Sequence, residues 1–402
     1  MLFAKILLAV SVFFSFGEEE LDQLIKDAKS EKANVREKAI LAIGPLLGTV
    51  EEQGQQKQIA EILIDAIADS SNNVNHSARL RIAEHPEIIN KYLKPYFASA
   101  FLTSETSSAS LGKACETIKV VGAEARVWLP DLIKCLEREE RKFKLAALHA
   151  MGALNGKDLL PALDMTIKEL DNKDFNIQLS ACRVLSKIGP EARKAGPRLV
   201  KLLEEGIASA RSWAGIALGA IGPHDEYDVV KLLEERLDRF YLVDRERALI
   251  GLAHLGEHAK PALPKIEKLM EDRSKSVQHT ASRAHWKISG DSAKAVERLI
   301  TLIPTMEFGP DSMDILGEIG SEGRTAVPAL IEQLKSTELP TREAAVYALA
   351  GIGSGANAAI EPLKKMNATE QDQLIKAAIE IALAKIQTTE DDMQKDKVLS
   401  DK

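Results

Sequence analysis

The residues of this chain that could do chemistry are few, and no two groups of them support each other. His254-Leu255-Gly256-Glu257-His258 has the H-x-x-E-H order of an inverted zinc-protease signature, whose physics needs both histidines on one helical face and the glutamate as general base. Gly351-Ile352-Gly353-Ser354-Gly355 has the glycine density of a phosphate-cradling loop, but no strand precedes it and no Lys-Ser or Lys-Thr follows. Three cysteines, Cys115, Cys135 and Cys182, are an odd number that fits no disulfide framework; they read as small buried apolar residues, with a Cys115–Cys135 bridge left open. Asn75-His76-Ser77 and Asn367-Ala368-Thr369 are glycosylation-type triplets, the first on an expected helix.

Any such groups must be positioned by helices, and the helices repeat. Taking the residue after the apolar end of each second helix as a reference, Asn155, Gly189, Gly222, Gly256 and Ser289 are separated by 34, 33, 34 and 33 residues. Counting back from each, apolar or small residues occupy −12, −8, −5, −4 and −1, as in Ile177, Ala181, Val184, Leu185 and Ile188. That is one stripe of a 3.6-residue helix. Weaker copies end at Leu47, Pro86, Gly122, Gly320, Gly353 and Gln387. Pro130, Pro197, Pro264 and Pro328 each fall eight residues after a reference glycine, where a first helix begins and proline's missing N–H costs nothing. The register places Gly256 at a helix end, so His254 belongs to a helix tail and His258 to the next turn. The zinc reading therefore gives way to a polar helix end.

Asn34-Val35-Arg36 with Ala39, Ala210-Arg211 with Ala214, Asp244-Arg245 with Ala248, and Thr341-Arg342 with Ala345, Ala348, Leu349, Ile352 and Gly353 resemble the second helix of HEAT repeats. The closest flavour is the short type also found in phycobilin lyases and bacterial scaffold proteins. The resemblance runs over residues 18–387 and is strongest from Val121 to Gly353. It implies an all-α fold, an α-solenoid of about eleven helical hairpins stacked into a curved rod whose second helices line the concave side. In such repeats the basic residue at −11, here Arg36, Lys144, Arg211, Arg245, Arg342 and Lys376, pairs with an acidic turn residue of a neighbour, and Asp174, Asp238 and Asp272 are placed for it. This competes with a polyanion-binding ladder. Gly309-Pro310 and a spacing of 31 residues from Ser289 to Gly320 predict one shortened repeat. The expected organisation is a signal peptide at 1–17, irregular N-terminal repeats at 18–120, a regular array at 121–387 and a solvated polar tail at 388–402.

Composition sets the limits on function. With 402 residues, 53 basic and 60 acidic, the chain has a net charge of −7, which removes the counterion-release drive of general nucleic-acid binding. Nucleic acid is therefore excluded as the expected partner. Aromatics are 4%, and an Ala/Leu/Ile palette favours helix over strand. Lys5, the apolar run Ile6–Phe16 and Ser15-Phe16-Gly17 before Glu18 read as a secretory signal, too short to span a bilayer. Cleavage would leave a periplasmic or extracellular chain with no integral span.

If −12, −8, −5, −4 and −1 face the core, −10 and −6 face the groove. Position −6 holds His149, Arg183, Ile216, Ile250, Arg283 and Tyr347, and Ile216 beside Ile250 is expected to expose apolar surface flanked by arginines. Trp286 stands at −3 where neighbouring repeats have Gly152, Ser186, Gly219, Ala253 and Gly317; its ring either reaches the groove or fills a gap beside the short repeat. His285, at −4, is expected to be buried. These residues favour a non-enzymatic, cofactor-free scaffold that binds a protein or peptide in its groove. The alternatives are a lyase or isomerase of the HEAT-like type acting on a pigment or other small ligand, and a purely structural envelope component.

Overall fold

The computed structural model describes residues 18–50, 52–92, 108–305, 307–370 and 373–387, and the expected signal and polar tail lie outside these. Among the described residues there is no strand. In chain order the helices are α1 (Glu18–Asp27), α2 (Ala33–Ile43), α3 (Gln53–Ile67), α4 (Asn72–Glu84), α5 (Ser108–Val121), α6 (Leu129–Glu137), α7 (Arg141–Met151), α8 (Leu163–Lys168), α9 (Phe175–Ile188), α10 (Gly196–Glu205) and α11 (Ala208–Ile221). They continue as α12 (Val229–Glu234), α13 (Leu242–Leu255), α14 (Leu263–Leu269), α15 (Lys275–Ser289), α16 (Ala293–Leu302), α17 (Gly309–Ile319), α18 (Val327–Gln333), α19 (Leu339–Ile352), α20 (Ile360–Thr369) and α21 (Gln373–Gln387). The fold class is an all-α solenoid of HEAT-like hairpins. The chain divides into two compact units, Met1–Ala217 and Leu218–Lys402, parting inside α11.

Second helices end where the register places them. Every positive φ among the described residues belongs to a glycine, at 122, 189, 222, 256, 290, 320 and 353, each just after a second helix. Gly320 (φ 74°, ψ −141°) and Gly353 (φ 65°, ψ −136°) occupy a region that a Cβ closes to other residues. Several references differ, among them Leu47, four residues beyond the end of α2 at Ile43. α15 runs through Ser289, and Gly290 turns the chain in the left-handed conformation. α7 stops at Met151, and Asn155 is extended. The sequence also hides an element: a 3₁₀ segment of seven residues, such as Gly189–Ala195, Gly256–Ala262 and Gly320–Ala326, precedes the first helix. The prolines then sit in the first turns of α6, α10, α14 and α18. α17 is short, 11 residues, and starts at Gly309, where a Cβ would lie 2.4 Å from the Ile303 carbonyl oxygen.

Two devices hold neighbours together. One is close backbone packing of adjacent second helices. A Cβ on Gly219 would stand 2.0 Å from the Gly251 carbonyl oxygen, and one on Gly351 2.5 Å from that of Gly317. This explains why the −3 position is small in most repeats. The other is the basic residue at −11, which staples its own turn and reaches the next repeat. Arg36 donates from Nη1 to the carbonyls of Ser30 and Glu31 at 2.8 and 2.9 Å, and grips Asp69 with Nε and Nη2 at 2.7 and 2.8 Å. Arg342 donates to the carbonyls of Ser336 and Thr337 and to Glu370. Arg245 caps the carbonyls of Arg239 and Phe240 and reaches Asp272 at 3.3 Å. Lys144 donates to the Leu136 carbonyl and pairs with Glu169. Asp272 is thus the acid expected from the sequence. Asp174 instead pairs with Arg141, and Asp238 with Lys265. Bidentate or multiply bonded pairs of this kind spend the cations internally, which leaves little of a polyanion ladder.

Candidate functional site

The chemistry suggested by short motifs dissolves in the fold. Gly256, at φ 54°, separates His254 in the last turn of α13 from His258 in the following 3₁₀ segment, so the two rings do not share a helical face. Gly351–Gly355 closes α19 and opens a 3₁₀ turn, with helix rather than strand before it. Asn75 lies within α4, its side chain donating to the Ile67 carbonyl, and Asn367 lies within α20. The three cysteines are buried and none is in a disulfide, with the Cys115 thiol donating to the Ala146 carbonyl at 3.1 Å. Burial pushes the Cys115 and Cys135 thiols up to about 12, and the Cys182 thiol further in the same direction. A thiol held neutral in this way is a poor nucleophile. His285 is buried at 2% exposure, its Nε2 3.3 Å from Glu267 Oε1.

What remains is the outward side of the second helices, described unit by unit. In the first unit, His149 on α7 and Arg183 on α9 are exposed. Ile216 on α11 is not: it is 4% exposed, which corrects the expectation of an open apolar patch. Ser212, at −10 on the same helix, is buried too, and the bulky Trp213 stands three residues before Ile216, where helical spacing makes them neighbours. The −6 position is thus covered there. The Arg183 guanidinium lies 5.0 Å from the Trp213 ring. Burial, then Lys119 and Arg183, pull the His149 imidazole below its ordinary value.

In the second unit Ile250 is half-buried, so apolar exposure is modest at that position as well. Arg283 on α15 is exposed and donates to both carboxylate oxygens of Glu318 at 3.0 and 3.1 Å. Trp286 is half-buried and packs against the core built from α16 to α21, with the Lys287 ammonium 3.9 Å from its ring. It fills space beside the short α17. Tyr347 on α19 stays 47% exposed. Around it the face is acidic. Burial first, then Asp311, Glu318 and Glu343, hold the Asp314 carboxyl above the usual range, and burial with Glu343 raises the Tyr347 phenol. The sequence register identified His149, Arg183, Arg283 and Tyr347 as surface positions. It passed over Lys119 and Ser180 beside the first pair, which lie off the −10 and −6 positions, and Asp314 and Glu343 beside the last, which occupy −6 and −10 of their own repeats and were within its reach.

A family comparison agrees with the fold of the C-terminal repeats. Residues 312–384 match the family model described as HEAT repeats. No curated protein sequence matches the chain. Among solved structures, an engineered protein aligns at 19% identity and a TM-score of 0.42, covering 92% of this chain and 99% of its own. The karyopherin Kap121p bound to the extreme C-terminus of the protein phosphatase Cdc14p aligns at 15% identity and a TM-score of 0.42, covering 100% of this chain and 49% of its own. Kap121p bound to Nup53p aligns at 14% identity with the same TM-score, 0.42, covering 100% of this chain and 48% of its own. The chain thus spans about half the length of Kap121p. The matched segment, α17 to α21, carries HEAT repeats, and the same helical hairpin recurs through the described residues.

Proposed function

We propose that the chain is a non-catalytic scaffold that binds a protein or peptide on the outward side of its second helices. The observation that carries this reading is the face of α15, α17 and α19. There Arg283 and Tyr347 stand beside Asp311, Asp314, Glu318 and Glu343 on a preformed helical surface, so little ordering entropy opposes binding. Aromatic and arginine anchors are the residue types that carry most interface energy. The arrangement fits a partner that offers cations to the acidic residues and an apolar group to Tyr347. Export through Met1–Gly17 belongs to the same proposal, and N-terminal sequencing of the protein recovered from its native cell tests it.

The test of binding is capture from the native cell by the full chain and by an Arg283→Ala/Tyr347→Ala variant, with bound proteins identified by mass spectrometry and captured again in purified form. One partner should be retained by the wild type and lost by the variant while helical circular dichroism stays the same. Equal capture by both would refute the assignment of this face.

A further inference from the structure

In the first unit, a cavity, a buried hydroxyl without a partner and a group of cations meet at one place. The cavity, about 350 Å³, is lined by Lys119 of α5, by Leu148, His149 and Gly152 around the end of α7, and by Ser180 and Arg183 of α9. Three successive second helices therefore build it, and Gly152 leaves the room. Ser180 is 2% exposed and its Oγ has no hydrogen-bond partner. Ser282 shows the usual alternative, with Oγ donating to the carbonyl four residues back. A buried hydroxyl left unpaired is costly, and a ligand atom accepting from it would recover that cost.

The surrounding charges select the ligand. Lys119 is tied at one side to Glu116 at 2.6 Å, and Glu116 is also held by Arg79 at 2.9 Å. Arg183 makes no ion pair among the described residues; its guanidinium lies against the Trp213 ring. Its planar fork, the Lys119 ammonium, the Ser180 hydroxyl and the His149 ring are all able to donate. We propose that Lys119, His149, Ser180 and Arg183 form a binding site for an oxyanion, either a carboxylate or a phosphoryl group.

A bidentate arginine matches the two oxygens of such a group, and the serine hydroxyl gives a third donor from the floor. A cation is repelled, and an apolar ligand leaves the hydroxyl unpaired. The titrating groups that face His149 are Lys119 and Glu116 from α5 and Arg183 from α9; burial first, and then the two cations, hold the ring below its ordinary value. An anion in the cavity favours the protonated ring, so binding strengthens as pH falls and His149 titrates higher when the site is filled. The inference deepens the scaffold reading and rests on it only for the source of the group, a free anion or an acidic side chain of a bound peptide.

The experiment follows the His149 ring by NMR in the full chain, assigned with His149→Gln. The probes are inorganic phosphate, acetate and a glutamate-rich peptide, each at constant ionic strength. At least one should give a saturable shift, with the His149 titration midpoint moving up on saturation. Arg183→Gln should weaken binding at least tenfold and Ser180→Ala several-fold, whereas Lys201→Gln, exposed on α10, should leave it unchanged. Saturation by phosphate or acetate alone identifies a free anion, and saturation by the peptide alone identifies an acidic segment; either supports the site. No saturable shift with any probe, or the same affinity in Arg183→Gln, overturns it, and Arg183→Gln decides the matter if Ser180→Ala does not fold. Failure of partner capture with phosphate still saturating would sink the scaffold reading alone.

Discussion

Removing the ammonium of Lys144 tests the inter-repeat staple most directly. The Lys144 side chain is 13% exposed and pairs with Glu169, which is 2% exposed. Lys144 also donates to the Leu136 carbonyl at 2.9 Å, tying the α6–α7 turn to the following repeat. Without it, Glu169 keeps the donor Asn172 Nδ2 at 2.8 Å, and its charge remains buried. Lys144→Met preserves most of the aliphatic stem, so the loss is that of the charge and its hydrogen bonds. Breaking a buried pair from one side costs about 3–5 kcal/mol, because the remaining charge is uncompensated. Glu169→Gln in the Lys144→Met background removes that charge, and the double variant should therefore recover about half or more of the loss. Urea unfolding followed by circular dichroism measures the total, and hydrogen exchange resolves it by segment, since repeats couple chiefly to their neighbours. Protection should fall first across α6 to α9. A loss under about 1 kcal/mol with unchanged exchange across those helices, or a double variant no more stable than Lys144→Met, would refute the reasoning.

The turn acids make stability depend on acidity. Hydrogen bonds from Arg36 and Arg141 hold the Asp69 and Asp174 carboxyls below the usual carboxylate range. Their contribution is therefore present above the unfolded pKa near 3.8 and is lost as pH falls through the lower folded values. Asp69→Asn should flatten the decline of the urea midpoint below pH 4, and an unchanged slope would count against the staple. Close packing predicts that Gly351→Ala costs about 1–3 kcal/mol, since its Cβ meets the backbone of Gly317 and no flexible side chain can yield. Once α17 and α19 have moved apart, Gly317→Ala should cost less in that background than alone; strict additivity of the melting shifts would argue against the contact. Burial of the cysteines predicts that thiol reagents react with them only on unfolding, at the rate of global or local opening, and rapid native-state labelling would contradict it.

Helix identity, the period and the core stripe were legible in the sequence because each is local. Ile177, Ala181, Val184, Leu185 and Ile188 are buried as their 3.6-residue spacing requires, and the reference glycines end helices because no other residue tolerates the backbone there. His285 at −4 was assigned to the core on the same ground. The identity of inter-repeat partners was less legible. The register supplied Arg245 and Asp272, but Asp174 went to Arg141 and Asp238 to Lys265, since long side chains can choose among acids within reach.

The sequence by itself determined that this protein is a run of helical hairpins, each burying one stripe, with a small residue where second helices approach and a cation at six of the turns. Tertiary structure alone decided which outward positions are free. Ile216 and Arg183 hold the same register position, yet one is buried and the other exposed, because coverage depends on what adjacent helices carry at that height. It also decided that Lys119, His149, Ser180 and Arg183 line one cavity, although 64 residues separate the first from the last. The physical reason is that burial along one helix follows its own periodicity, whereas proximity between helices follows packing, which no single segment encodes.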